Sequence, residues 1–350
     1  MTVVLTICSA NYLAMAKTLG DSLAEHNPNY HFVIGLVDRI PEVIDATYWE
    51  PYELIPVEAI GIENFDEMTH QYNIIELNTA VKPFYMEYLY NRNHRIKNVI
   101  YFDPDILILG SLKYLEENLE RFNIVLTPHR CSYDDTDENI NFEVAMLLAG
   151  TYNLGFIATS RTAETLAFLK WWQKRLRRFC YSRAGQGCFY DQIWANLAPV
   201  FFRKVRTETN PGYNMCYWNL FERSLSKKDG RYLVNDQHEL IFYHFSSYSP
   251  MQPELVTTRA PVKSLADYPE LQLLFDDYRR RLLANQYLSL NAVGCYFMQK
   301  QMSSQEHQFP RSVGKAIMKN VCKKALMTLP DVTQRFFRRA AQFIMTNTHA

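Results

Sequence analysis

Two aspartates one residue apart, Asp103 and Asp105, close an apolar run in NVIYFDPDILILGSL, residues 98–112. A strand covered on both faces is continuously apolar, and an unpaired charge inside it is costly. The pair therefore marks a strand's carboxyl end, where Pro104 stiffens the turn and withholds a backbone donor. Ligands of open α/β sheets bind in the crevice beyond such ends. Carboxylates this close repel each other, and a divalent cation relieves the repulsion. Hard oxygen ligands suit Mg²⁺ or Mn²⁺ and leave positions for phosphate oxygens. Three readings are open: solvated acids at a turn, a phosphohydrolase with its nucleophile in D-x-D, or a transferase holding the metal of a nucleotide-sugar. The phosphohydrolase motif usually continues with Thr or Val, whereas Ile106 and Leu107 follow here. Its second acidic pair would have to be Asp134-Asp135, which PHRCSY, no strand, precedes.

The elements that must position these carboxylates are read from periodicity. TVVLTIC is a β-branched run with strand character, and Leu13, Ala16, Leu19 and Leu23 then recur at helical steps until Asn27-Pro28-Asn29. HFVIGLVD is a second strand ending at Asp38. Strand, helix, strand argues for a parallel sheet with crossover helices, hence an α/β fold. NTAVKPFYMEYLYNRN reads as a helix around Pro83, YDDTDENINFE as an acidic loop, and NLGFIATS as a strand. TAETLAFLKWWQKRLRRF reads as an amphipathic helix with a basic side. Beyond Pro250 the strand pattern fades. Leu271, Leu274, Phe275, Tyr278 and Leu282 form one helical stripe, and Val332, Phe336, Phe337, Ala340 and Phe343 another. The expected organisation is an α/β domain over 1–250 and a helical extension over 251–350.

Apolar residues make up 48% of the 350 and charged residues 21%, enough for a core and too few charges for bulk disorder. Lys plus Arg equals Asp plus Glu at 37 each. Eight basic residues and one acid fall between Arg311 and Ala350, so the tail carries about +7 and the rest about −7. That excludes a uniform nucleic-acid footprint. A basic amphipathic tail fits an anionic membrane or a lipid-linked acceptor, or a helical subdomain with a basic face. Seven scattered cysteines without a C-x-x-C pair imply a reduced, cytoplasmic protein. The N-terminal segment has no basic n-region, so no signal peptide is expected.

Over residues 1 to about 250 the chain resembles GT-A-fold glycosyltransferases, most closely the glycogenin and lipopolysaccharide-galactosyltransferase-like family (family 8-like). The likeness rests on segments in the family's order. TICSANYLAMAKTLGDSL resembles the strand and helix that hold the nucleoside, implying roles for Thr6 and Cys8 and a base-packing Tyr12. LNTAVKPFY resembles a segment with a donor-contacting Lys, here Lys82. VIYFDPDILILGSL is similar to the metal-binding strand. YNLGFIAT gives Asn153 and Gly155 for the sugar pocket, and FYDQIWANLA gives Asp191 and Gln192 beside the reacting sugar. LIFYHFSSYSP resembles the closing segment, whose His, here His244, is the metal's third protein ligand. The family's segment usually continues through Gly to a Lys on the diphosphate; Ser247 and Pro250 stand there instead, and Arg259 is the nearby cation.

The resemblance implies a GT-A-like (Rossmann-like) enzyme moving a sugar from a nucleotide-sugar, UDP-linked by likeness, to a saccharide or glycolipid acceptor in polysaccharide biosynthesis. Asp103, Asp105 and His244 would hold Mn²⁺ or Mg²⁺, with the neutral imidazole's second nitrogen fixed by an acceptor. Asp191 would meet the sugar; as a residue type it equally suits a helix N-cap. A saccharide-binding scaffold without turnover is the non-enzymatic alternative.

Overall fold

A computed structural model describes residues 1–259 and 261–298. These belong to one compact unit, Met1–Ser304. The second sequence stripe, Val332 to Phe343, and the basic tail lie outside the described residues, as does Cys322; the other six cysteines are free thiols.

Seven strands make the central sheet. In chain order they are β1 (Thr2–Cys8), β2 (His31–Leu36), β3 (Glu53–Pro56), β4 (Asn98–Phe102), then β6 (Ile124–Pro128), β7 (Tyr152–Ser160) and β8 (Val205–Thr207). A short β5 (Ile106–Ile108) lies outside that sheet and pairs antiparallel with β9 (Phe242–His244). The spatial order is β8-β6-β7-β4-β1-β2-β3. β1 pairs in parallel with β2 and β4, β2 with β3, and β6 with β8, while β7 runs antiparallel between β4 and β6. This is the α/β, Rossmann-like class expected from the strand–helix–strand opening. The central β1 is buried at every residue, as a parallel strand covered on both faces must be.

Seven helices position the rest of the account: α1 (Leu13–His26), α2 (Lys82–Arg92), α3 (Asp137–Ala149), α4 (Ala163–Phe179), α5 (Gln192–Ala195), α6 (Ala198–Phe201) and α7 (Gln272–Ala284). The apolar steps of α1 are all buried, and Asn27 ends it. Two expectations are corrected. The helix around Pro83 is two helices: Ile74–Ala80 ends before Val81, and α2 starts afresh with Pro83 in its first turn, where a missing N–H costs nothing. The acidic segment taken as a loop starts α3. Thr136 accepts from the Asn139 N–H, and Asp137 and Glu138 sit in the first turn, favourable for the helix dipole.

The boundary expected near residue 250 falls inside the compact unit. Leu271, Leu274, Phe275, Tyr278 and Leu282 are buried as the stripe requires, and they share one core with Val4, Phe102 and Phe242. Phe245 stacks on Tyr278 at 3.7 Å, and Phe275 meets Phe245, Tyr243 and Tyr248 at 4.9–5.4 Å between ring centroids. Phe275→Ala is therefore expected to cost about 3–5 kcal/mol. Urea unfolding would show it as a lower midpoint of one cooperative transition; two transitions, with only one shifted, would support a boundary near residue 250.

Candidate active site

The sheet brings the two aspartates to His244 by pairing. β4 ends at Phe102, and the ladder with β7 continues for one bond: the Asp103 N–H donates to the Gly155 carbonyl at 2.7 Å. The chain turns through Pro104 and Asp105, then enters β5, where Ile106 lies opposite His244 of β9. The two acids thus separate two strands of different sheets. Phe245 N–H donates to the Asp105 carbonyl at 2.8 Å, and His244 N–H to Met215 at 2.8 Å, which fixes both backbones. The imidazole Nε2 lies 3.2 Å from Asp105 Oδ1 and 4.0 Å from Asp103 Oδ2. One ligand atom from each of the three residues fits within 4.8 Å of the others.

This donor set fits a divalent cation. Two partly exposed carboxylates and one buried imidazole supply hard oxygen and borderline nitrogen ligands on one side and leave the other open. Burial opposes a charge on His244, yet the Asp105 and then the Asp103 carboxylates outweigh it and raise its pKa above the ordinary value. A cation among the carboxylates would instead favour the neutral imidazole that a ligand must be. The expected acceptor on the second nitrogen is absent: Nδ1 is buried and has no partner among the described residues. Packing holds the ring, with Trp218 edge-on at 5.3 Å and Gly155 beneath it. A Cβ at Gly155 would lie 2.9 Å from Nδ1 and closer still to Cε1. Gly155→Ala is expected to push the ring off the carboxylates and weaken metal binding by about 10–100-fold, the scale of lost ligand support. Mn²⁺ titration followed by paramagnetic resonance would measure it.

A buried charge network adjoins the cluster. Tyr101 donates to Asp103 Oδ1 at 2.6 Å, and the Lys82 ammonium sits 4.2 Å from the Tyr101 ring centroid. Lys82 Nζ donates to Asp191 Oδ2 at 2.6 Å and to the Leu154 carbonyl at 2.7 Å. Both members of this ion pair are almost fully buried, with side-chain exposures of 3% and 5%. Burial pushes the Asp191 carboxyl up, and Lys82 pulls it back. Asp191 occupies the N-cap position of α5, but its side chain makes no capping bond. The carboxylate turns to Lys82 instead, since in a buried site an ammonium stabilises it more than an amide N–H does.

The remaining sequence-picked residues are placed as follows. Asn153 accepts from the Gly155 N–H at 3.2 Å and from Asn214 at 3.1 Å, and Asn214 also donates to Thr127. Gln192 donates to the Ala149 carbonyl at 3.0 Å, tying α5 to the end of α3. Tyr12 is 43% exposed just beyond β1. Partial burial, and then the Asp105 charge, raise its phenol pKa. Thr6 and Cys8 are buried within β1 and offer no side-chain surface. Ser247 has φ +59°, so a serine holds the left-handed conformation that favours the glycine of the resembling segment.

A cleft of about 620 Å³ opens beside these residues. Asn153 and Gln192 contribute to its lining, as do Phe142 and Met146 of α3, Trp218, and the cations Arg259 and Lys263. Arg130 is also there but is committed, donating to the Trp218 carbonyl at 2.7 Å and to Asn139. His129 is held neutral by burial, which brings its pKa down to about 4. Sequence reasoning missed Tyr101, Asn214, Trp218 and the α3 wall. Tyr101 lay inside the quoted motif, and its hydroxyl two residues before Asp103 was the available signal.

No family model matches the chain. Two curated proteins of Bacillus subtilis (strain 168) are similar in sequence. The uncharacterized protein YfnF is 27% identical over 244 residues, 69% of this chain and 80% of that protein. The uncharacterized protein YfnD is 22% identical over 253 residues, 70% and 77% of the two chains. Among solved structures the chain matches the galactosyltransferase LgtC in complex with donor and acceptor sugar analogs (17% identity, 84% of this chain and 98% of that one, TM-score 0.46). It also matches the glycosyltransferase GlyE of Streptococcus pneumoniae TIGR4 (14%, 82% and 64%, TM-score 0.47) and mouse xyloside xylosyltransferase 1 (13%, 70% and 97%, TM-score 0.40). These matched structures are glycosyltransferases, the class that the sequence motifs resemble.

Proposed function

We propose that the chain is a metal-dependent glycosyltransferase, moving a sugar from a nucleotide-sugar, UDP-linked by likeness, to a saccharide or lipid-linked saccharide. The observation that carries this reading is the convergence of Asp103, Asp105 and His244 at the carboxyl end of β4, beside a cleft large enough for a sugar and its acceptor. Mn²⁺ or Mg²⁺ held by these three residues would neutralise charge on the departing diphosphate. Tyr12, exposed just beyond β1, offers its ring to the base. Asn153 presents its amide to the cleft while its own oxygen is held by Gly155 and Asn214. Asp191, one residue from the cleft-lining Gln192, would stabilise positive charge on the sugar ring. Its partner Lys82 offsets part of the cost of burying its charge. Lys82 is spent on Asp191, Leu154 and the Tyr101 ring, so the phosphates would fall to Arg259 and Lys263 of the cleft; Lys263 would have to leave the Tyr268 hydroxyl, to which it donates at 3.2 Å, and Glu138 at 4.0 Å.

The phosphohydrolase reading is weaker on the same geometry. Asp134 is engaged by Thr136 and Asn139 at the start of α3, and among the described residues the only acidic–histidine group of metal-ligand geometry is the one at β4. The experiment is a donor panel with Mn²⁺, reading nucleoside diphosphate release with and without saccharide acceptors. Release that rises with an acceptor supports the proposal. Phosphate release from monoesters, with no donor turned over, would replace it by the phosphohydrolase. Failure of both, with nucleotide-sugar still bound, would leave the scaffold.

A further inference from the structure

We propose that the face formed by α4 and α6 docks on an anionic lipid bilayer; its residues are other than those of the basic tail singled out in the sequence. At its tip α6 exposes Val200 (71%) and Phe201 (55%), with Leu197 just before the helix also exposed. Phe201 leans on Trp171 of α4, 6.0 Å between ring centroids, and Trp171 meets Trp194 of α5 edge-on at 6.4 Å. Arg175 lies over the Trp171 ring at 4.6 Å. Lys174, Arg175 and Arg178 then line a concavity with Phe179 and Trp194. Among the described residues none of these three cations has a carboxylate within ion-pair distance, whereas Lys170, one turn earlier, is matched by Glu87 at 2.8 Å. An aliphatic and aromatic tip beside uncompensated cations is the composition of an interfacial surface: the apolar groups enter the acyl boundary and the cations meet lipid phosphates. A nucleic acid would meet the cations but has no use for exposed Val200 and Leu197. The face is joined to the site through α5, whose N-terminus carries Asp191 and Gln192, so docking would bring the cleft to a membrane-borne acceptor.

The test uses the full chain with vesicles of phosphatidylcholine, alone or with about one third phosphatidylglycerol. Lys174→Ala/Arg178→Ala should weaken binding to the anionic vesicles roughly fivefold for each cation removed. Val200→Ser/Phe201→Ser should lose the part of the binding that persists at high salt, because screening spares apolar contact. In Phe201→Trp the added emission should be quenched by brominated lipids. The parent failing to bind anionic vesicles would overturn the proposal. So would variants that bind as tightly as the parent, or an unquenched tryptophan on bound protein, which would assign binding to another part of the chain. Turnover on a water-soluble acceptor should stay at the parent's value in all three variants, so the docking face and the catalytic reading stand or fall separately.

Discussion

Asp105→Asn is expected to lower turnover by about 10³-fold, the scale lost when a group stabilising transition-state charge is removed from an active site. The substitution keeps the side chain's shape. The backbone carbonyl that accepts from Phe245 is untouched, and the side chain is one fifth exposed, so no buried group is newly stranded. Stability should therefore change by no more than about 1 kcal/mol. The pair of measurements is turnover with a donor and thermal unfolding of the same preparation. Full activity in the variant would remove Asp105 from the metal site. A large fall in the unfolding midpoint would show that the loss came from the fold.

Lys82→Met should be strongly destabilising. It leaves Asp191 buried with no cation, and breaking a buried pair from one side costs about 3–5 kcal/mol. In a unit of this size that lowers the midpoint on the order of 10 °C. The double variant Lys82→Met/Asp191→Leu separates structure from chemistry. Replacing both charges by apolar groups should recover much of the stability, because no charge remains to desolvate. Turnover should not recover, because the carboxylate beside Gln192 is gone. A stable and fully active double variant would make the ion pair purely structural.

The opening of the fold was legible because β1, α1 and β2 each carry an unbroken period, and no long-range contact is needed to read one. The three residues of the candidate cluster were legible for a different reason. A charge in an apolar run is a local anomaly, and His244 followed from its place after the other motif segments. What lay hidden depends on pairing across the chain. Nothing near residue 106 says that the resumed apolar run leaves the main sheet to pair with residues 242–244. Nor does Lys82 advertise a partner 109 positions away; on a helix its default reading is a solvated side chain. The α3 helix was missed because its acids were read as loop composition. In fact Thr136 and the following acids form a helix start, and the exposed Ile140, Val144, Leu147 and Leu148 blur the apolar stripe that would have announced it.

The central claim is that Asp103, Asp105 and His244 hold a cation against a nucleotide diphosphate. Thermal unfolding with UDP, with and without Mn²⁺, on the parent and on Asp105→Asn tests it most directly. At a hundred times its dissociation constant a ligand adds about 2.7 kcal/mol, which moves the midpoint visibly. The account predicts a shift that needs UDP and Mn²⁺ together and disappears in Asp105→Asn. A UDP shift of equal size without metal, or one that persists in the variant, would contradict it.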